Sequence, residues 1–220
     1  MTFKYYVSTW VAAAASSVAA AVLWVATAVL WIAPAYAADP VAGEALYQSC
    51  VACHGDQAQG NDALGAPALA GQQAPYIARQ IQAYQSGLRG SEDHYAAQMP
   101  ALVETLSDAD TANVAAYVSS LAPVKTPLAD GDLRKGNNYY HASCGGCHGG
   151  KAEGNDMLQA PRLAGLSAAY LKRQFNHFKS GARGTDDTDR LGRQMNMMAQ
   201  VLPDEATLDA VIAYITAQAQ

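Results

Sequence analysis

The sequence predicts an all-α fold of two tandem domains. The chain repeats itself at an offset of 94 residues, and its apolar residues recur at helical spacing. No convincing alternating strand appears among its 220 residues. A third observation, an apolar leader whose one charged side chain is Lys4, separates the N-terminus from the rest.

The leader covers residues 1–37. After Lys4 there is no charged residue before Asp39, and the run "VAAAASSVAAAVLWVATAVLWIA" leads into "APAYAADP". Ala35 and Ala37 give the A-x-A pattern of a signal peptide cut after Ala37. The run is also long enough to span a bilayer, so a retained anchor is the alternative. Either reading puts the remaining chain in an oxidising compartment. A single lysine in the n-region suits a bacterial periplasm.

The repeat is direct. Residues 60–90 and 154–184 align without a gap and are identical at 17 of 31 positions. The expected division is a first domain over 38–122, a linker over 123–130 and a second domain over 131–220. The prolines of "LAPVKTPLADG" read as that linker. Within the first copy, "AGEALYQSC" predicts a short helix, and "APYIARQIQAYQSG" predicts another that stops at Gly87. "SDADTANVAAYVSSL" opens on Ser107 as N-cap with acids in its first turn. "PDEATLDAVIAYITAQ" is its counterpart, with Asp204 near the start. Units this small and this rich in loops need a staple, metal or cofactor to complete a core.

The four cysteines form two pairs, each followed by histidine: Cys50, Cys53, His54 and Cys144, Cys147, His148. A disulfide would leave both histidines unexplained. A zinc site would need a fourth ligand and would crowd adjacent Cys53 and His54. C-x-x-C-H is the attachment signature of c-type haem, with the thiols on the vinyl groups and the histidine on iron. Two such motifs at one place in a repeat predict two covalent haem c groups. Glycines 55, 145, 146 and 149 let the backbone approach a flat macrocycle.

Met99 and Met195 are the expected axial partners of His54 and His148. Each follows a glutamine and precedes a leucine, Leu106 or Leu202, by seven residues. A thioether opposite imidazole raises the potential. Met197 and Met198 stay open, because counting back from Tyr117 and Tyr214 gives an offset of 97 rather than 96. His94 has no histidine at the equivalent repeat position. His141 and His177 read as surface residues.

With these motifs, the loops "APALAG" and "APRLAG" and the two "QM" segments, the chain resembles the dihaem class I cytochromes c of the cytochrome c4 family. The resemblance covers residues 40–220. It implies two small helical haem domains and an electron carrier rather than an enzyme. It implies that the carbonyls of Pro67 and Pro161 hold the ligand histidines. It also implies redox protein partners, with electrons passing from a quinol-oxidising bc-type complex to a terminal oxidase. Tyr76, Arg79 and Gln80, which recur as Tyr170, Arg173 and Gln174, are candidates for the haem edge, a propionate, or an interface.

The rivals are a dihaem peroxidase, which needs an open iron position, and a haem subunit of a membrane oxidoreductase complex, which needs a retained N-terminal helix. Residues 38–122 hold nine acids against two basic residues, and residues 123–220 hold ten against eleven. That asymmetry suggests that the two ends dock differently charged partners. The absence of a basic tail argues against nucleic acid.

Overall fold

The computed structural model describes residues 37–219. The expectations for residues 1–37 therefore fall, Ala37 aside, outside the described residues. Among those described there are ten α-helices and no strand beyond two isolated bridges, Asn61–Ala66 and Asn155–Ala160. None of these helices is long and apolar enough to cross a membrane.

The first half contains α1 (Pro40–Tyr47), α2 (Val51–His54), α3 (Ala74–Gln85), α4 (Met99–Val103) and α5 (Asp108–Ser120). The second contains α6 (Leu133–Ser143), α7 (Gly145–His148), α8 (Ala168–Ser180), α9 (Arg190–Ala199) and α10 (Glu205–Ala217). Residues 122–130, between the halves, have no regular structure.

Helix starts follow local chemistry. Asp39, Asp132, Ser167, Asp189 and Asp204 each cap a helix through a side-chain oxygen. Ser107 and Asp110 form a reciprocal capping box at α5, as "SDAD" predicts. α1 crosses α5, and α6 crosses α10, at a glycine. A Cβ on Gly43 would overlap the carbonyl of Asn113, and one on Gly136 would overlap that of Ala210.

Each half has its own core. Tyr47, Ile77, Ile81, Val114 and Val118 centre the first. Tyr140, Leu171, Leu208, Val211 and Ile215 centre the second. The halves differ before the expected methionines. Pro100 lacks an N–H and is tolerated only in a first turn, so α4 starts at Met99. Asn196 takes its place in the second half, and α9 runs unbroken from Arg190.

Candidate functional site: two cysteine–histidine cradles

Each C-x-x-C-H segment folds into a four-residue helix ending on its histidine. Gly55 and Gly149 follow with φ of 82° and 83°, a conformation that suits glycine. Two buried tyrosines fix the exit. Tyr47 donates from its hydroxyl to Gly55 O at 2.8 Å, and Tyr140 to Gly149 O at 2.7 Å.

The histidines are held alike. His54 Nδ1 lies 2.9 Å from Pro67 O, and His148 Nδ1 lies 2.8 Å from Pro161 O. A carbonyl only accepts, so Nδ1 carries the proton and Nε2 keeps its lone pair. Burial pushes both imidazoles below their usual pKa, against the opposing effect of the proline carbonyls. Both imidazoles thus present an unprotonated Nε2.

The four cysteines are free thiols with no disulfide between them. Burial pushes the Cys144 thiol up to about 11. A cavity of about 470 Å³ opens beside Cys144, Cys147 and His148, and Met195 and Met198 line it as well. Its walls include Leu163, Leu171, Phe175 and Ile212. Paired thiols, a neutral imidazole and an apolar slot fit a covalent haem. The zinc alternative lacks a fourth ligand: no group of three His, Cys, Asp or Glu side chains is placed for a metal among the described residues.

The methionine register has a physical resolution. Gln85 Nε2 donates to Leu106 O at 2.8 Å, and its counterpart Lys179 Nζ donates to Leu202 O at 3.1 Å. The offset at these leucines is therefore 96, which pairs Met99 with Met195. It becomes 97 one step later. Pro203 stands where Ser107 caps α5, and a proline has no capping oxygen, so Asp204 caps α10 one residue on. Met197 is 65% exposed and is not among the cavity-lining residues. Met99 packs against the first core.

His94 is exposed and stacked on Tyr95, and His141 is exposed and bonded to Tyr214. His177 corrects an expectation. It is not a surface residue: its side chain is only 13% exposed and its Nε2 lies 3.5 Å from Asp93 Oδ2 of the other half. The polar look of "FNHFKS" belongs to a face that meets the other half, which periodicity alone does not distinguish from solvent.

The two halves meet through a pseudo-two-fold set of contacts. Arg79 donates to Gln159 O at 3.1 Å, and Arg173 donates to the equivalent Gly65 O at 2.6 Å. Arg89 reaches Gln80 at 2.7 Å and Gln174 at 3.4 Å. Arg183 reaches Gln80 at 3.1 Å and also Gln174. Of the alternatives open for Tyr76, Arg79 and Gln80, the interface is thus where Arg79 and Gln80 make their contacts.

The fold and these cradles define a c-type cytochrome built twice, an electron carrier with two covalent haem c groups. Known proteins agree. A family model described as cytochrome c matches residues 40–122 and 133–218. Cytochrome c4 of Azotobacter vinelandii is 31% identical over 172 residues, covering 72% of this chain and 81% of that protein. The thiosulfate dehydrogenase electron acceptor of Thiomonas intermedia is 36% identical over 181 residues, covering 77% and 78%. The crystal structure of reduced recombinant cytochrome c4 from Pseudomonas stutzeri matches with a TM-score of 0.67 at 28% identity, covering 82% of this chain and 98% of that one. The chain belongs to the dihaem cytochrome c4 family.

Proposed function

We propose that the protein is an exported, periplasmic carrier that takes electrons from a quinol-oxidising bc-type complex and delivers them to a terminal oxidase. Haem iron supplies reversible one-electron chemistry when bound. Cys50 and Cys53 anchor one haem and Cys144 and Cys147 the other. His54 and Met99 would hold the iron of the first haem, and His148 and Met195 that of the second.

The observation that carries this reading is the duplicated cradle: a neutral imidazole oriented by Pro67 or Pro161, with a methionine at the matching repeat position in each half. Pro67 and Pro161 keep Nε2 directed and basic. The methionine sulfur, an uncharged ligand, favours the reduced state. Two ligands from the chain on each iron would leave no place for a peroxide, so transfer rather than turnover is the expected behaviour.

A second donor is favoured by one observation. A relative is a thiosulfate dehydrogenase electron acceptor, so a sulfur-oxidising enzyme is the competing source of electrons. Stopped-flow reduction by membranes supplied with quinol, set against reduction by a thiosulfate-oxidising enzyme, separates the two. Quinol-driven, bc-inhibitor-sensitive reduction is expected. Its absence, with fast thiosulfate-driven reduction, would transfer the protein to sulfur oxidation. The charge-transfer band of ferric iron bound to methionine, lost in halves in Met99→Ala and Met195→Ala, tests the axial ligands. A Met198→Ala variant that loses the band instead would reassign the second one.

A further inference from the structure

The second domain carries a histidine that the repeat does not supply to the first. Tyr47 and Tyr140 correspond, since each donates to the carbonyl of the glycine that ends its C-x-x-C-H segment. Two residues separate Tyr47 from Cys50, but three separate Tyr140 from Cys144. His141 stands directly after Tyr140, where Gln48 follows Tyr47, so the first domain has no imidazole in that place. We propose that His141 is a redox-linked proton site: it takes up a proton from solvent as the haem at Cys144 and Cys147 is reduced, and releases it on oxidation. The electron comes from the redox partner and goes to iron. The proton comes from water and goes to one imidazole nitrogen, and no other bond changes.

The hydrogen bonds select that nitrogen. The Tyr214 hydroxyl lies 2.9 Å from Gly150 O and 3.0 Å from His141 Nε2. A carbonyl only accepts, so the single hydroxyl proton goes to Gly150, and the hydroxyl oxygen accepts from His141 Nε2. Nδ1 is then the nitrogen with a free lone pair. It faces the start of α7, where a Cβ on Gly145 would lie 3.4 Å from it. The rings of Tyr140 and Tyr214 lie 5.7 Å and 5.6 Å from the imidazole, both edge-on. α6, the C-x-x-C-H helix α7 and α10 thus meet at this one side chain.

Charge links the imidazole to the iron. His141 lies one helical turn before Cys144, a thioether anchor. Ferric haem carries one more positive charge than ferrous haem, so a cation on His141 opposes oxidation. By reciprocity, His141 holds its proton more tightly when the iron is reduced. Histidine is the side chain whose charge changes near neutral pH. His141 sits in the last turn of α6, where the helix dipole favours a cation. Tyr140 and Tyr214 stay neutral beside it: burial pushes both hydroxyls above their usual pKa, and Glu153 adds to the shift. Glu153 and Lys151 are the charged residues of the loop after α7, and Gln59 replaces Glu153 in the first domain. His141 is exposed, so salt should screen the coupling.

The inference needs covalent haem at Cys144 and Cys147, and holds whichever methionine binds that iron. Tyr214 is a positioning residue, which acts by choosing the imidazole nitrogen that stays free.

The test uses the holoprotein at low ionic strength. In spectroelectrochemical titrations between about pH 5 and 8, the midpoint of the second haem should fall with rising pH through a step that the first haem lacks. His141→Gln should remove the step, and added salt should shrink it in the unmodified protein. The His141 ring protons, followed by NMR, should titrate at a higher pH in the ferrous than in the ferric protein. In Tyr214→Phe, nitrogen-15 shifts should show the proton of neutral His141 shared between both ring nitrogens; a retained Nε2–H form would remove Tyr214 from the device. A step that survives His141→Gln, or a His141 titration that is the same in both oxidation states, would overturn the coupling. Loss of the methionine charge-transfer band would bear on the axial ligands and leave this result standing.

Discussion

Gln72 and Arg162 hold each other by two hydrogen bonds across the domain boundary. Gln72 Nε2 donates to Arg162 O at 2.9 Å, and Arg162 N donates to Gln72 Oε1 at 2.9 Å. Gln72 is 4% exposed, so one buried side chain satisfies a donor and an acceptor of the opposite half. Gln72→Ala would leave both backbone groups unpaired, at a cost of about 1–3 kcal/mol. Thermal unfolding should show a lower first transition, and protease should cut faster within residues 122–130. An unchanged transition would mean that water replaces the amide without loss.

The glycine crossings give a second prediction. Gly136→Ala places a methyl group against the carbonyl of Ala210. Overpacking of this kind costs about 1–3 kcal/mol. Denaturant unfolding of the haem-loaded protein should show the loss in the second domain. Gly150→Ala is the control: a Cβ there meets nothing closer than the His141 ring edge at 3.9 Å.

The interface should respond to pH through His177. Burial pushes its imidazole below the usual pKa, against the pull of Asp93 and Glu92 and with the help of Arg183 and Arg173. The native state therefore binds fewer protons than the unfolded state. The contribution is complete above the unfolded pKa of about 6.5 and declines as pH falls towards the depressed native value. His177→Gln should flatten the dependence of melting temperature on pH below neutrality. An unchanged slope would assign that dependence to other groups.

Charge asymmetry predicts a difference between partners. Neutralising exposed acids of the first domain, such as Asp56 and Glu104, should slow exchange with one partner only and flatten its salt dependence. Stopped-flow rates across ionic strength measure this. Equal slowing with both partners would reduce the asymmetry to a matter of solubility.

Much of this molecule is written locally. Ser107 followed by Asp110 announces a helix start, and a histidine directly after the second cysteine announces its cradle. The repeat pairs Met99 with Met195, because a glutamine and a leucine travel with each. What is not local is harder to read. The interface assembles Arg79 with Gln159, Arg173 with Gly65, and His177 with Asp93, residues far apart in sequence. Their polar side chains look solvated until the halves are joined. α9 also escaped the periodicity, since its three neighbouring methionines divide between a cavity wall and solvent.

Arg79 with Gln159 and Arg173 with Gly65 are one contact made twice under a half-turn rotation. A surface complementary to a rotated copy of itself is what a symmetric homodimer requires. The stretch between Leu121 and Asp132 makes that meeting intramolecular, at an effective concentration set by its own length. Tethering thus frees the two-domain arrangement from dilution: the halves stay paired at protein levels where untethered halves would drift apart.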